Sequence, residues 1–364
     1  MNPHHRRSAR NVAVVGGGIN GIMAATALRK RGFGVDVFEA RETMGATSSA
    51  STKLLHGGLR YLEHGSFRLV REALNERSWW FLHAPHLCRP VELLLPVWEA
   101  RGRPRWKLRA GLFLYDCLAG KSQPKRHQWL SATQALAKQP ELSRRNLQGA
   151  FTFWDGQMDD FALGKWAAER AQELGVRLHE NTKVMRLHQD GNVVFDGGTR
   201  KFDRVVNAAG PWASKLLELS SIPSAYSLDL VRGSHLVTSR PCAAGMLAEV
   251  RGERRIGFVL PWKGGSLVGT TEVRQASPQT EGCSPEEMLY IRAFYDSVIE
   301  VPMHDAEVIS SFSGVRPLIR SSSPTDRATR EYAIERAGSV ITAFGGKWTT
   351  ARKLGERIAD EVSR

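Results

Sequence analysis

Three glycines near the N-terminus have the spacing that binds a dinucleotide. Gly16, Gly18 and Gly21 match the pattern G-x-G-x-x-G. In this pattern one glycine permits a tight turn, one lets the backbone approach a pyrophosphate, and one allows a helix to pack closely on a strand. An acidic residue, Glu39, follows farther along the chain, where a carboxylate can accept hydrogen bonds from both hydroxyls of a ribose. The chemistry indicated is the binding of an adenosine dinucleotide.

The elements around these glycines are the ones that the motif requires. Residues 11–15 (NVAVV) are a short β-branched run that predicts a buried parallel strand. The segment 22–28 (IMAATAL) is rich in helix formers, and the start of such a helix directs N–H groups and a partial positive charge at phosphates. A second predicted strand, 34–38, leads directly into Glu39. Strand, turn, helix, strand and terminal acid together predict a Rossmann-like domain.

The composition indicates a globular protein of roughly two domains. The 364 residues are 42% hydrophobic and 8% aromatic, which argues against disorder. The four cysteines form no C-x-x-C pair, so neither a metal site nor a disulfide framework is expected. We find no apolar run long enough to span a bilayer and no signal peptide. The expected location is the cytoplasm.

The chain is strongly basic, with a formal net charge of +14. Such a field favours anionic partners, including phosphorylated substrates and acidic membrane surfaces. Part of the charge lies between residues 99 and 127, where Lys and Arg are interleaved with apolar residues such as Trp106 and Phe113. This mixture suits either peripheral contact with the cytoplasmic membrane face or a solvated basic surface. No recognition motif accompanies the charge, so nucleic acid is not an expected partner.

Two further segments favour FAD over NAD. The block GATSSASTKLLHGGLRYL at 45–62 has small hydroxyl residues and paired glycines where a flat ring would lie against the backbone. The segment DRVVNAAGPW at 203–212 predicts a strand that runs into small residues. This is the second nucleotide-contacting turn expected when an extended FAD lies across the sheet.

In these motifs and later ones the chain resembles the FAD-dependent glycerol-3-phosphate dehydrogenases, within the broader flavin amine-oxidase-like group. Longer members of the family have an additional C-terminal helical domain, and the sequence stops too soon after the last motif for such a domain to be expected. Arg232 and Trp348 stand where the family usually has Lys and Leu. The matching motifs, spread in order through nearly the whole chain, are SSASTKLLHGGLRYLE at 48–63, VRGSH at 231–235, GTT at 269–271, SGVRPL at 313–318 and FGGKWTT at 344–350.

The resemblance implies FAD as the cofactor and a set of residues that contact it. Lys347 follows two glycines and precedes a predicted terminal helix, and its ammonium group would stabilise negative charge on the reduced flavin. The residues expected to bind the cofactor are Gly16, Gly18, Asn20, Gly21, Glu39, Thr47, Ser48, Ser49, Lys53, Leu55, His56, Gly57, Val184, Ala209, Gly210, Trp212, Gly346, Lys347 and Thr349.

The resemblance also implies a substrate site. Oxidation of a secondary alcohol by a flavin requires a base for the hydroxyl proton and a grip on the substrate. Arginine suits a phosphate because its planar fork binds two oxygens. The base is expected to be His56, His235 or Lys347. The residues expected to hold the substrate are Arg60, Tyr61, Thr271, Arg316 and Arg330, and Arg316 is also counted among the catalytic residues.

The expected fold class is α/β, with a Rossmann-like FAD-binding domain on a parallel sheet and a substrate domain on an antiparallel sheet. The FAD-binding domain is predicted to be discontinuous, because its motifs lie at both ends of the chain. The predicted boundaries are 10–85, 148–222 and 312–364 for the FAD-binding domain and 86–147 and 223–311 for the substrate domain.

Three functions are compatible with these residues. The first is oxidation of sn-glycerol 3-phosphate to dihydroxyacetone phosphate by hydride transfer to flavin, with electrons passed to a quinone or another acceptor. The second is oxidation of another small anionic substrate, an amino or hydroxy acid, because arginines also bind carboxylates. The third is flavin binding without turnover. An oligomer is compatible with all three.

Overall fold

The computed structural model describes residues 10–99, 101–279, 282–320 and 332–364. The helices of these ranges, numbered in chain order, are α1 Ile19–Lys30, α2 Phe67–His83, α3 Arg105–Ala119, α4 Ala132–Lys138, α5 Asp160–Glu173, α6 Ala213–Leu219, α7 Pro285–Asp296 and α8 Ala351–Ser363. The strands are β1 Asn11–Val15, β2 Gly34–Phe38, β3 Leu54–Leu55, β4 Cys88–Trp98, β5 Gln128–Ser131, β6 Leu147–Met158, β7 Arg177–His179, β8 Val184–Leu187, β9 Asn192–Phe195, β10 Gly198–Lys201, β11 Arg204–Asn207, β12 Leu228–Thr238, β13 Gly245–Glu249, β14 Ile256–Trp262, β15 Gly265–Gly269, β16 Val273–Gln275, β17 Val308–Ile319, β18 Tyr332–Ala337 and β19 Val340–Gly345.

The described residues divide into two compact units, each made of separate chain segments. The first unit contains the described residues of Met1–Ser49, Asp160–Leu230 and Arg316–Arg364. The second contains those of Ala50–Asp159 and Val231–Val315.

A mainly parallel sheet forms the centre of the first unit. Its strand order is β18-β19-β11-β1-β2-β7, and β18 is antiparallel to its neighbour β19. The β1 residues Val12, Ala13 and Val14 are completely buried, as expected for a strand with neighbours on both sides and helices over the sheet. Helix α1 packs against α8. A Cβ on Gly355 would lie 2.5 Å from the backbone of Met23, so the two helices touch through their main chains.

The second unit is built on a mostly antiparallel sheet. Its strand order is β16-β12-β15-β14-β13-β4-β6-β3, with β17 paired to β12 and β5 paired to β6. The pair β13 and β4 is parallel. Helices α2 and α3 contribute Leu74 and Tyr115 to a core that also includes Leu93 and Phe153 from the sheet. This core fixes α2 and α3 over one face of the strands.

The expected fold class and its strongest local elements are confirmed. The predicted strands 11–15 and 34–38 are β1 and β2. The sequence also predicts a helix at 161–174, which ends before Gly175, and the observed helix is α5, Asp160–Glu173. The sequence also predicts an antiparallel hairpin from residues 257–261 and 266–271, and this hairpin is β14 and β15, joined by Lys263 and Gly264, whose φ values are +48° and +85°. Two consecutive left-handed residues are typical of the tight turns that join twisted antiparallel strands.

The second unit begins at Ala50, whereas the predicted substrate domain begins at residue 86. Residues 50–85 belong to this unit because β3 pairs antiparallel with β6 and α2 packs against α3. Residues 148–159 belong to it because β6 pairs with β4 along nearly its whole length. These pairings join distant segments, and no local pattern in 50–85 predicts them.

Across the described residues, every helix is too short or too polar to cross a membrane.

Candidate active site

The glycine-rich turn of the first unit has the geometry that the spacing predicts. Gly16 has a φ of +107°, which residues with a side chain rarely adopt. A Cβ at Gly16 would lie 2.5 Å from the Ala208 carbonyl oxygen, and a Cβ at Gly21 would lie 1.9 Å from the Gly16 carbonyl oxygen. Glycine is therefore required at Gly16 for the turn and at Gly21 for the approach of α1 to that turn.

The carboxylate of Glu39 joins the glycine-rich turn after β1 to the loop after β2. Its Oε2 accepts a hydrogen bond of 2.7 Å from the backbone N–H of Gly17, and its Oε1 accepts one of 3.0 Å from Arg41. Glu39 thus holds the loop after β2 against the loop after β1. The predicted contact with a ribose stays a prediction.

The start of α1 fits an anionic group. The N-cap residue is Gly18, which provides no side-chain cap, and the first turn contains no acidic residue. The helix dipole is therefore left without a compensating carboxylate within the helix. The N–H of Ile19 donates to the Ser48 hydroxyl at 3.0 Å. The amide oxygen of Asn20 is buried and has no hydrogen-bond partner within the described ranges, which leaves an acceptor for a bound group.

The segment between β19 and α8 is tied to the same region. Gly345 and Gly346 both have positive φ, +73° and +91°, so the chain turns sharply before Lys347. The Gly345 carbonyl accepts from the Asn20 side-chain amide at 3.2 Å. This bond joins the end of β19 to α1. The predicted cofactor residues Gly346 and Lys347 lie in the loop that follows β19, and the buried Thr349 lies just before α8.

Thr47, Ser48 and Ser49 form one turn of 3-10 helix in the first unit. The indole N–H of Trp348 donates to the Ser48 carbonyl at 2.8 Å. This bond joins the serine turn to the loop that contains Lys347, and a Leu at 348 could not make it. The structure thus brings these predicted residues of the first unit together around the end of β1.

The second predicted nucleotide turn follows β11, the parallel neighbour of β1. Ala209 and Gly210 follow this strand, and Trp212 ends a short 3-10 helix just before α6. Asn207, which the sequence patterns did not single out, is completely buried. Its amide donates to the Ala213 carbonyl at 3.1 Å and its side-chain oxygen accepts from Ala209 N–H at 3.3 Å. An amide at the end of an apolar strand is the signal that could have identified it.

Val184 and Leu55 were predicted to contact the cofactor, and both contribute to cores. Val184 packs with Phe38 and other apolar residues of the first unit. Leu55, in the second unit, is fully buried in β3 opposite Gly156. Their contacts with a cofactor stay predictions.

In the second unit, His235 is held rigidly on β12. It is 1% exposed, its Nε2 lies 3.0 Å from the Thr52 hydroxyl, and its ring stacks on Phe312 at 4.9 Å between centroids. A Cβ on the neighbouring Gly269 would lie 2.5 Å from the imidazole. The buried ammonium of Lys53 lies 4.8 Å from the centre of the same Phe312 ring. Lys53, Thr52 and His235 therefore form one group.

His56, Gly57, Arg60 and Tyr61 follow β3 in the same unit. Arg60 and Tyr61 lie half-buried in the 3-10 helix Leu59–His64. A Cβ on Gly58 would lie 2.2 Å from the Tyr61 ring, so the ring packs against the glycine backbone. His56 is half-buried and Gly57 is buried.

The hydroxyl of Thr271 is engaged within the protein. It donates to Glu287 at 2.6 Å and accepts from the Ser234 N–H at 2.8 Å. Glu287 also pairs with Arg232 at 2.9 Å. Burial raises the pKa of Glu287, but the bonds from Thr271 and Ser284 outweigh it and hold that pKa below its ordinary value. The predicted contact of Thr271 with substrate stays a prediction.

The two remaining arginines lie in β17 and after it. Arg316 is half-buried within β17. Arg330 lies outside the described residues.

The family model described as "FAD dependent oxidoreductase" matches residues 11–361. This range includes both glycine turns and all of the predicted site residues. The chain therefore belongs to the FAD-dependent oxidoreductases, and FAD is its cofactor.

Within that family the chain is similar to glycerol-3-phosphate dehydrogenases. It is 36% identical to the glycerol-3-phosphate dehydrogenase of Pseudomonas aeruginosa, over 97% of this chain and 71% of the relative. It is 32% identical to the aerobic glycerol-3-phosphate dehydrogenase of Escherichia coli, over 97% of this chain and 73% of the relative. The solved glycerol-3-phosphate dehydrogenase of Bacillus halodurans, complexed with FAD, has a TM-score of 0.76 and 26% identity, over 98% of this chain and 65% of that one. The chain is thus a glycerol-3-phosphate dehydrogenase-like enzyme that spans about two thirds of its relatives.

Proposed function

We propose that the protein oxidises sn-glycerol 3-phosphate to dihydroxyacetone phosphate. The observation that carries the proposal is the identity of 36% and 32%, over 97% of the chain, to two enzymes named glycerol-3-phosphate dehydrogenase. When bound, FAD supplies the acceptor for the two electrons that leave the substrate carbon. The protein must hold the substrate, take the hydroxyl proton and orient both groups.

His235 is the residue that we propose as the base. A base must be fixed within hydrogen-bond reach of the proton that it takes. Burial, the contact with Thr52 and the stacking on Phe312 restrict the His235 ring. The ordinary pKa of histidine suits proton uptake near neutral pH. His56 and Lys347 are the alternative bases, and substitution separates the three.

Arg60, Arg316 and Arg330 are proposed to hold the phosphate. The phosphate takes no part in the bonds that break, so arginines can bind this doubly charged group strongly without blocking the reaction. The net charge of +14 supports the attraction of such a substrate.

Anaerobic mixing tests the proposed reaction. Purified protein with bound FAD is mixed with sn-glycerol 3-phosphate in the absence of oxygen, and the absorbance near 450 nm is followed. We expect loss of the absorbance and one dihydroxyacetone phosphate formed per FAD. Loss only with an amino or hydroxy acid would replace the proposed substrate. No loss with any of them would indicate flavin binding without turnover.

Helix α3 supports a second proposal, contact with an anionic membrane surface. Its outward face exposes Trp106 (72%) and Phe113 (62%), seven residues apart and therefore on one side of the helix. Arg105, Lys107 and Arg109 are exposed in the same helix. Aromatic side chains that project among basic ones match acidic headgroups over an acyl layer. A quinone held in that layer is the proposed electron acceptor.

Vesicle sedimentation tests the contact. The protein is pelleted with vesicles of phosphatidylglycerol and phosphatidylcholine, or of phosphatidylcholine alone, at low and high salt. We expect binding only to the anionic vesicles at low salt, and loss of binding in W106S/F113S. Leu289→Ser is the matched control, since Leu289 is 65% exposed on α7, whose first turn is acidic. Equal binding of W106S/F113S and the unsubstituted protein would contradict the contact.

A further inference from the structure

The backbone N–H of Gly57 is held by two side chains from distant parts of the second unit. It donates to the Tyr115 hydroxyl oxygen at 3.0 Å and to Asp155 Oδ1 at 3.1 Å. The Tyr115 hydroxyl in turn donates to Asp155 Oδ2 at 3.0 Å. Tyr115 lies on α3 and Asp155 on β6, and both are buried. One backbone group is therefore fixed by a helix and a strand together.

A buried positive charge completes this group. Arg77, on α2, is completely buried and pairs with Asp155 Oδ1 at 3.0 Å. The same guanidinium donates to Gln123 Oε1 at 2.8 Å and to the Trp154 carbonyl at 3.0 Å. Buried charges persist only where they are paired and hydrogen-bonded. The ion pair therefore keeps the acceptor oxygens of Asp155 in one place.

Tyr115 is a fixed donor in this group. Burial, with the nearby Asp155 carboxylate, raises the pKa of Tyr115 well above its ordinary value, so the phenol keeps its proton. Its hydroxyl hydrogen is directed at Asp155, and its oxygen is left to accept from Gly57.

The packing leaves Gly57 no room to move. A Cβ on Gly57 would lie 2.4 Å from the Tyr115 hydroxyl oxygen and 2.4 Å from a methyl group of Leu74. The main chain is therefore pressed against the same side chains that bind it. His56, a candidate for both cofactor contact and proton transfer, is the residue directly before Gly57.

We infer that Tyr115, Asp155 and Arg77 are positioning residues that fix the backbone of His56 and Gly57 for the oxidation. The inference rests on the proposed function, because it assigns a task to a segment that is expected to lie beside the cofactor. The three residues are not among those proposed to contact cofactor or substrate, and the task inferred for them is carried out through the backbone that they hold. Fixing a functional segment from buried residues of rigid elements is a general way to reach catalytic geometry.

Tyr115→Phe removes one hydroxyl and keeps the ring, and Tyr290→Phe is its matched control. The Tyr290 hydroxyl also donates to a carboxylate, that of Glu253 at 2.9 Å, on the surface of the same unit. Both variants are studied as FAD-loaded protein, with thermal unfolding recorded first. Three readouts follow: amide hydrogen exchange of the 55–62 segment, visible circular dichroism of the bound FAD, and the anaerobic bleaching rate with sn-glycerol 3-phosphate.

We expect Y115F to exchange the Gly57 amide faster, to change the visible circular dichroism, and to bleach about tenfold more slowly at saturating substrate. Y290F should match the unsubstituted protein in all three. Unchanged exchange and dichroism in Y115F would overturn the inference. Absence of bleaching in the unsubstituted protein would count against the proposed function alone, because the other two readouts need no substrate.

A second variant covers the case in which Y115F does not fold. R77M/D155N removes both buried charges and leaves an amide oxygen to accept from Gly57. We expect it to keep slow exchange of that amide. D155A, which removes the acceptor and leaves Arg77 unpaired, should exchange faster. Equal exchange in R77M/D155N and D155A would overturn the inference.

Discussion

The indole N–H of Trp348 donates to the carbonyl of Ser48 at 2.8 Å, across 300 residues of sequence. The bond joins the N-terminal and the C-terminal segment of the first unit. Both segments contain predicted cofactor residues, and the Ser48 hydroxyl also accepts from the Ile19 N–H at the start of α1. The Trp348 side chain therefore helps to fix the relative position of the serine turn and the Lys347 loop.

Trp348→Phe should weaken FAD binding. An aromatic ring remains but the indole N–H donor is lost, and a net hydrogen bond of about 1 kcal/mol corresponds to a rise of about fivefold in the FAD dissociation constant. Fluorescence titration of the flavin-free protein measures it. Trp106→Phe, at an exposed tryptophan of the second unit, is the control and should leave FAD binding unchanged. Equal constants for both variants would show that the bond does not support the site.

His235→Asn should lower kcat by a factor of about 10²–10⁴ and leave KM little changed, because a base acts mainly in the transition state. Steady-state rates at varied sn-glycerol 3-phosphate concentration measure both constants. His86→Asn, at an exposed position, should behave as the unsubstituted enzyme. A normal kcat in H235N would leave His56 and Lys347 as the candidate bases.

Arg316→Ala should raise KM roughly 10–150-fold, the effect of losing one charge-assisted bond of ~1.5–3 kcal/mol. Arg320→Ala is the matched control, since Arg320 is an exposed arginine of the same segment that bonds to Asp229 at 3.1 Å. It should keep the original KM. Initial rates at varied sn-glycerol 3-phosphate concentration decide the matter. An unchanged KM in R316A would remove Arg316 from the phosphate site.

Protonation of Asp36 in acid should remove a stabilising interaction from the first unit. Burial would raise the pKa of this carboxyl, but bonds from Arg177 and His179 hold it below its ordinary value. A lowered folded pKa stabilises the fold above the unfolded pKa of Asp, and this stability is lost as the pH falls through the folded pKa. Asp36→Asn should lower the free energy of unfolding by about 1.5–3 kcal/mol at pH 7.

The same substitution should reduce the loss of stability between neutral and acid pH. Urea unfolding at pH 7 and at about pH 2.5, well below the ordinary pKa of aspartate, measures both quantities. Glu173→Gln, in an exposed pair with Arg170 on α5, is the control and should change stability by less than about 0.5 kcal/mol. An acid dependence that is identical in D36N and the unsubstituted protein would contradict the assignment.

Much of the nucleotide-binding turn and of the fold class is predictable from the sequence. The φ of Gly16 and the left-handed turn after β14 depend on steric contacts between neighbouring residues. A glycine in the sequence is therefore enough to predict them. The strands β1 and β2 are marked by continuous apolar runs. The family motifs identify FAD as the cofactor.

Only the tertiary structure decided which distant segments meet. The chain segment 50–85 belongs to the second unit because β3 pairs with β6. Asn207 and Tyr115 accept hydrogen bonds from backbone N–H groups, and local sequence patterns do not predict these bonds. A local pattern reports the conformation of a few neighbouring residues, whereas these contacts depend on how separate elements pack. A buried polar group must form a hydrogen bond, and its partner can come from any part of the chain.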